Sequence, residues 1–166
     1  MTDSRDAIIQ ILDSVLGNKV TAPIIAALER AGGQETANIL VELTSHQNSA
    51  LSSSALYALL AINRQMAFDV LEVQLEHYDS SIRWGACHVL AKYGTERSVR
   101  YVIEVFLNDS DANVRYIAAY TLGCLGSRSA IPALRHGVLH DSGTDHEGHP
   151  IAQIAADALE HLEGKE

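Results

Sequence analysis

The sequence predicts an all-α protein, an α-solenoid or superhelix of about five stacked helical hairpins. Apolar residues recur at helical spacing, one stretch repeats at an interval of 32 residues, and hydrophobic residues make up 47% of the chain while aromatics make up only 5%. Small apolar side chains suit close helix packing, and only three prolines and few alternating β-branched runs disfavour an all-β fold. With 166 residues, we expect a single repeat domain over residues 1–166.

The repeat is clearest between two segments that begin at Asp79 and Asp111. Each aspartate stands where a side-chain oxygen caps a helix, and Gly94 and Gly126 stand where a left-handed residue ends one. Between them, apolar residues at i, i+4, i+8 and i+11 share one helix face. They are Ile82, Ala86, Leu90 and Tyr93 in the first segment, and Val114, Ala118, Leu122 and Leu125 in the second.

The same pattern extends in both directions with weaker fidelity and predicts ten helices. Their approximate bounds are 3–16, 20–31, 34–45, 49–62, 65–77, 80–93, 96–107, 112–125, 128–139 and 149–162. They pair into five hairpins at about 3–31, 34–62, 65–93, 96–125 and 128–162. One hairpin cannot bury both of its apolar faces, so neighbouring hairpins must stack.

Residues 109–126 read Asp-x-Asp-x-x-Val-Arg-x-x-Ala-Ala-x-x-Leu-Gly-x-Leu-Gly, and Ala-Ile-Pro-Ala-Leu follows at 130–134. This stretch resembles the HEAT-like repeats of the phycobilisome-lyase type, and residues 79–141 carry the match. The resemblance implies that the Val-Arg helices line a concave side. It also implies a structural ladder that ties adjacent repeats together, formed by Asp79, Arg83, Asp111 and Arg115. Thr21, Ser52 and Ala152 stand at the arginine position elsewhere, which confines the ladder to the middle of the chain.

Proteins that resemble this family are mostly scaffolds and adaptors, so we predict a non-catalytic protein-binding function that uses the inner helices and no cofactor. One alternative is a bilin lyase or chromophore-handling chaperone, and another is an immunity protein that binds a basic toxin. The metal-dependent hydroxylases of the wider group need His-Glu pairs within these helices. Here the matching pairs are Trp84-Gly85, Tyr116-Ile117 and Gln153-Ile154, which cannot bind iron in that way.

The candidate binding residues lie two or six positions after the first apolar residue of each inner helix, and Lys92 lies one turn further on, so they point away from the apolar seam. They bring the single Trp and three of the six Tyr onto one stripe. Aromatic side chains with a polar tip are enriched at the centres of protein interfaces, although they also fill gaps between neighbouring helices. The predicted binding residues are Trp84, Tyr116, Tyr120, His88, Tyr57, Lys92 and Asp157.

Other candidate sites are weaker. The loop 140–149 contains histidines and carboxylates, but its glycines and the lack of a second ligand group favour a solvated insertion over a metal site. Cys87 falls on the apolar seam and Cys124 on a less buried face, without metal-like spacing between them. Neither predicts catalysis, and their number favours a reducing compartment.

The net charge restricts the partners. Against 21 acidic residues there are 12 basic ones, giving −9 and a sequence pI near 5.3, which disfavours nucleic acid and suits a basic protein partner. No apolar run reaches the length of a membrane span, and the N-terminus does not resemble a signal peptide. We therefore expect a cytoplasmic protein with no membrane partner.

Overall fold

A computed structural model describes residues 4–13 and 21–164. This part of the chain is helical with no strand; one isolated bridge joins Thr144 and Pro150. The helices are α1 (Ser4–Asp13), α2 (Ala22–Leu43), α3 (Ser49–Ile62), α4 (Arg64–Leu75), α5 (Ser80–Tyr93), α6 (Glu96–Asn108), α7 (Ala112–Leu125), α8 (Ile131–His140) and α9 (Ile151–Glu163), with a short 3-10 helix, Arg128–Ala130, before α8. Residues 14–20, where the first predicted helix ends and the second begins, lie outside the described residues.

Two of the predicted helices form a single continuous helix in the structure. The glycines Gly32-Gly33 predict a break between helices 20–31 and 34–45, but α2 continues from Ala22 to Leu43. A glycine ends a helix by adopting a left-handed conformation, and among the described residues only Gly126 and Gly148 have positive φ. Helical glycine costs about 1 kcal/mol relative to alanine. The buried side chains of Leu28, Leu40 and Leu43, on both sides of the glycines, offset that cost by packing into one core.

The chain forms two compact units, residues Met1–Val70 and Leu71–Glu166. In the first unit, α1, α2 and α3 pack together around Ile8, Leu12, Leu40 and Leu59, all almost fully buried. The long α2 takes the place of the second helix of the predicted hairpin 3–31 and of the first helix of the predicted hairpin 34–62. Three helices therefore stand where four were predicted.

The second unit has two layers. Helices α5, α7 and α9 lie side by side in the inner layer, while α6 packs on α7 and α8 packs on α9 in the outer layer. The predicted hairpins 96–125 and 128–162 thus correspond to α6–α7 and α8–α9. Their core consists mainly of aliphatic residues, with the aromatic ring of Phe106 among them. It includes Leu90, Val102, Leu122 and Leu134.

The repeat residues that begin and end the helices act locally. Asp79 accepts a hydrogen bond from the Ser81 amide at 2.9 Å, and Asp111 accepts one from the Asn113 amide at 2.8 Å, as expected for N-caps. Gly126 ends α7 with φ 72°, the predicted left-handed conformation. Gly94 instead ends α5 with extended backbone at φ −61° and ψ 165°, so the prediction was wrong for this glycine.

Two arginines tie successive repeats together. Arg83 on α5 binds the two carboxylate oxygens of Asp109 through its Nε, at 2.6 Å, and its Nη2, at 2.7 Å. Its Nη1 donates to the His77 carbonyl at 2.8 Å. Arg115 on α7 repeats the geometry, with its Nε 2.7 Å from Asp141 and its Nη1 2.9 Å from the Asp109 carbonyl. Each guanidinium therefore fixes the turn after the next outer helix and the turn before its own helix.

The carboxylates of this ladder are not the ones that the resemblance assigns. Asp109 and Asp141 pair with the arginines, whereas Asp79 and Asp111 face the amides of their own helices. The guanidinium is held by hydrogen bonds as well as charge, and the pKa values of Arg83 and Arg115 are raised first by the bonds to Asp109 and Asp141. Burial opposes ionisation of Asp141, but the bonds from Arg115 and the Gly143 amide outweigh it and lower the pKa of Asp141.

We predict that Asp141→Asn destabilises the protein by about 2–3 kcal/mol at neutral pH, because it leaves a partly buried guanidinium without its counter-charge. Since the folded-state pKa of Asp141 is lowered, its contribution is present above the unfolded value of about 3.9 and is lost as the pH falls through the folded value. Urea unfolding across this pH range should therefore show the difference from wild type shrinking in acid.

The matched control is Glu160→Gln, which neutralises an exposed carboxylate on α9 and should change stability by less than about 0.5 kcal/mol. Equal effects of the two substitutions would show that the loss comes from net charge and not from the ladder.

The outer layer depends on a close approach at Gly137. A Cβ built on this glycine of α8 would overlap the ring of the almost fully buried Phe106 on α6. Gly85, within α5, has open space at the same position. The two glycines therefore test packing and helix propensity separately.

We predict that Gly137→Ala costs about 1–3 kcal/mol through overpacking. Gly85→Ala should be neutral or stabilising by up to about 1 kcal/mol, because it gains helix propensity without a clash. Thermal unfolding of both variants checks this. A neutral Gly137→Ala would contradict the close approach of α6 and α8.

Candidate protein-binding face

The inner helices of the second unit present a regular stripe of exposed side chains, here called the aromatic face. Its positions are four residues apart on each helix because the other faces are buried against neighbouring helices. The face consists of Trp84, His88 and Lys92 on α5, Tyr116, Tyr120 and Cys124 on α7, and Gln153, Asp157 and His161 on α9. Trp84 is 41% and Tyr120 46% exposed, values at which an aromatic side chain offers much of its ring to a partner.

The rings of the face are held by local contacts. Trp84 and His88 stack one turn apart on α5, with ring centroids 5.2 Å apart and planes 7° from parallel. Tyr116 is half-buried, and its ring lies 6.1 Å from that of His149. The Thr121 hydroxyl lies 2.7 Å from the Ile117 carbonyl of its own helix and 3.0 Å from the Cys87 carbonyl of α5, and so bridges α7 and α5 beneath the face. The two ring contacts thus restrain the Trp84 and Tyr116 side chains locally.

A narrow slot opens on the face between α7 and α9. It has a volume of about 230 Å³ and is lined by Tyr120, Gly123, Cys124, Ile154, Asp157, Ala158 and His161. The helices are close here, since a Cβ on Gly123 would lie 3.0 Å from the Ala158 Cβ. A phenol is ordinarily neutral at physiological pH, and a hydrogen bond with the Cys124 side chain raises the pKa of Tyr120 further.

The structure places six of the seven predicted binding residues on the inner layer of the second unit. They are Trp84, His88, Lys92, Tyr116, Tyr120 and Asp157. Tyr57 is a half-buried residue of α3 in the first unit, so its place in a shared binding surface stays a prediction. Cys124 and His161 belong to the face by position, since both stand at the repeat position equivalent to Lys92.

The loop between α8 and α9 is built around Asp145. Its Oδ1 accepts hydrogen bonds from the Glu147 and His149 amides, at 2.9 and 2.8 Å, and Gly148 completes the turn with φ 88°. The His146 amide donates to Asn113 of α7 at 2.7 Å. The prediction of a solvated insertion overlooked this network, which brings His149 beside Tyr116 at the edge of the aromatic face. The Asp-x-x-Gly turn pattern at 145–148 was the available signal.

Three side chains of this loop offer metal-binding atoms. Ligand atoms of Asp145, Glu147 and His149 lie within 4.8 Å of one another, and His149 Nδ1 is 3.0 Å from Asp145 Oδ2. Imidazole and carboxylate groups suit zinc or a similar ion. The same contacts also favour a protonated His149 without a metal, because the bond to Asp145 raises the pKa of His149. For Asp145, hydrogen bonds from the His149 amide and ring outweigh desolvation and lower the pKa.

We predict that the pKa of His149 lies above the usual value for histidine, and that Asp145→Asn returns it towards that value. NMR titration of the ring protons measures both. Because the folded-state pKa is raised, any stabilisation by the pair is present below the unfolded value and is lost as the pH rises through the folded one. His161, on the same helix layer but outside this loop, supplies an internal reference. Equal titration of His149 in both proteins would contradict the pair.

The two thiols differ in accessibility. Cys87 is fully buried, and burial raises its pKa to about 12, so it is an unreactive core residue as predicted. Cys124 is exposed at the slot. Among the described helices, none has the length and apolarity needed to cross a bilayer.

Comparison with known proteins agrees with this architecture. HEAT repeats match at residues 38–117 and 68–160, which together span most of the chain. Among 16 matching chains of known structure, an engineered protein solved by crystallography is 22% identical. The alignment covers 97% of this chain and 74% of that one with a TM-score of 0.57, a likeness that concerns the fold. A search of curated proteins finds no match.

The fold and the matches define a class: the protein is an all-α solenoid of helical repeats, which confirms the fold predicted from the sequence. Within that class, the chain belongs to the HEAT repeat family. HEAT repeats generally serve as protein-interaction scaffolds.

Proposed function

We propose that this protein is a non-catalytic adaptor that binds another protein through the aromatic face. The observation that carries the proposal is the exposure of Trp84 and Tyr120 on neighbouring inner helices, at repeat positions that the core does not use. A rigid aromatic ring buries a large area on binding at a small cost in side-chain entropy. Because both rings stand on packed helices, little reorganisation is needed to form an interface.

The charge of the chain supports a basic partner. The net charge of −9 attracts cationic surfaces and repels nucleic acid. On the face itself, Asp157 supplies an exposed carboxylate next to the slot, while Lys92 and the histidines keep the surface mixed. Mixed charge at the rim directs orientation and partner choice more than it adds affinity.

The chromophore alternative receives less support from the shape of the face. The slot of about 230 Å³ is smaller than the roughly 300–1,000 Å³ typical of sites that enclose a drug-sized ligand, and a tetrapyrrole is larger still. An immunity protein for a basic toxin is a particular case of the binding proposal. It shares the same face and charge, so it adds no separate site.

We predict that Trp84→Ala or Tyr120→Ala weakens partner binding by at least about 2 kcal/mol, roughly thirtyfold, while the melting temperature changes little. The wild-type and variant proteins would be immobilised and exposed to lysate of the native organism, and retained proteins quantified by mass spectrometry. Binding constants would then be measured by calorimetry with the purified candidate.

Tyr78→Ala is the matched control, since Tyr78 is 90% exposed but lies in the turn before α5, outside the face. The partner should be retained by Tyr78→Ala and lost by the two face variants. If melting temperature and binding fall together, the rings are packing residues and the proposal fails.

A further inference from the structure

We propose that the slot between α7 and α9 receives the side chain of a lysine or arginine of the partner protein. The inference deepens the function proposed above and rests on it. The slot of about 230 Å³ is smaller than a typical small-molecule site, and its volume leaves room for one long side chain. It lies on the aromatic face, with Tyr120 and Asp157 among its lining residues.

The walls of the slot fit the stem of such a side chain. Ile154 and Ala158 of α9 line one side, and the Tyr120 ring and the bare backbone of Gly123 line the other. Lysine and arginine bury their methylene stems against apolar surface and keep the charged head at a polar rim. An aromatic ring such as that of Tyr120, which lines the slot, can also attract a cation to its face.

The mouth of the slot supplies the counter-charge. Asp157 is the only carboxylate among its lining residues, and its Oδ1 accepts a hydrogen bond of 2.8 Å from the Gln153 side chain one turn earlier. That bond restrains the carboxylate at the rim. A purely apolar side chain would remove water from Asp157 and offer no hydrogen bonds in return, whereas a cation would pair with the carboxylate. An anionic side chain would be repelled.

The charge preference can be measured through Cys124, an exposed thiol that lines the slot. In a redox buffer, its thiolate attacks a symmetric disulfide reagent, forms a mixed disulfide, and releases one reagent thiol. Three reagents place different groups at the mouth: cystamine a cation, bis(2-hydroxyethyl) disulfide a neutral hydroxyl, and 3,3′-dithiodipropionate an anion. Intact-mass measurement gives the equilibrium occupancy of each, expressed relative to N-acetylcysteine amide under the same conditions. Cys124→Ser is the blank, because buried Cys87 does not compete.

We expect the cation to be favoured over the neutral group by about threefold to fivefold, the range of an exposed ion pair. Asp157→Asn should abolish the preference, whereas Glu160→Gln, which neutralises an exposed carboxylate outside the slot on the same helix, should keep it. Raising the salt concentration to about 0.5 M should reduce the preference by screening.

Three results would overturn the proposal: no cation preference, a preference that survives Asp157→Asn, or stronger retention of dibutyl disulfide than of cystamine. Failure of Cys124 to react with every reagent would also overturn it, since the slot would then be closed. The partner-capture experiment with Trp84→Ala does not involve the slot. A surviving effect of Trp84→Ala together with no cation preference would therefore reject the slot assignment alone.

Discussion

The second unit is held in register by two forked ion pairs. In each, an arginine of an inner helix binds the aspartate in the turn after the next outer helix. Arg115 joins α7 to the start of the loop at Asp141, and its remaining nitrogen donates to the turn before its own helix. One planar group thus fixes three segments at once, which a point charge such as lysine could not do with the same geometry. The inner-layer spacing, and with it the separation of Trp84 from Tyr120, depends on these pairs.

At the equivalent turns that lack an arginine partner, histidines take the place of the aspartates. His46, His77, Asp109 and Asp141 occupy equivalent turn positions, and each accepts the backbone amide two residues later, through Nδ1 in the histidines and Oδ1 in the aspartates. The arginine position holds Thr21 and Ser52 in the repeats that precede the two histidines. An imidazole nitrogen supplies the same backbone-amide acceptor as a carboxylate oxygen and needs no guanidinium as a partner.

Much of this architecture could be predicted from the sequence because each repeat contains its own local signals. The N-caps Asp79 and Asp111, the buried seam through Leu90 and Leu122, and the exposed stripe all follow from helical spacing. Gly32-Gly33 could not be interpreted in this way, since whether a glycine pair ends a helix depends on the packing around it. The carboxylate partners of Arg83 and Arg115 required the three-dimensional turn, because two aspartates stand two residues apart at 109 and 111.

The separation of framework and surface positions on the inner helices has a consequence for evolution and for engineering. Side chains that hold α7 in place, such as Ala118 and Leu122, alternate along the helix with Tyr116 and Tyr120, which do little for the core. Selection can therefore exchange the exposed set one repeat at a time without unfolding the protein. Such a scaffold can acquire a new specificity by gradual substitution, and a library randomised at these surface positions would start from a chain that still folds.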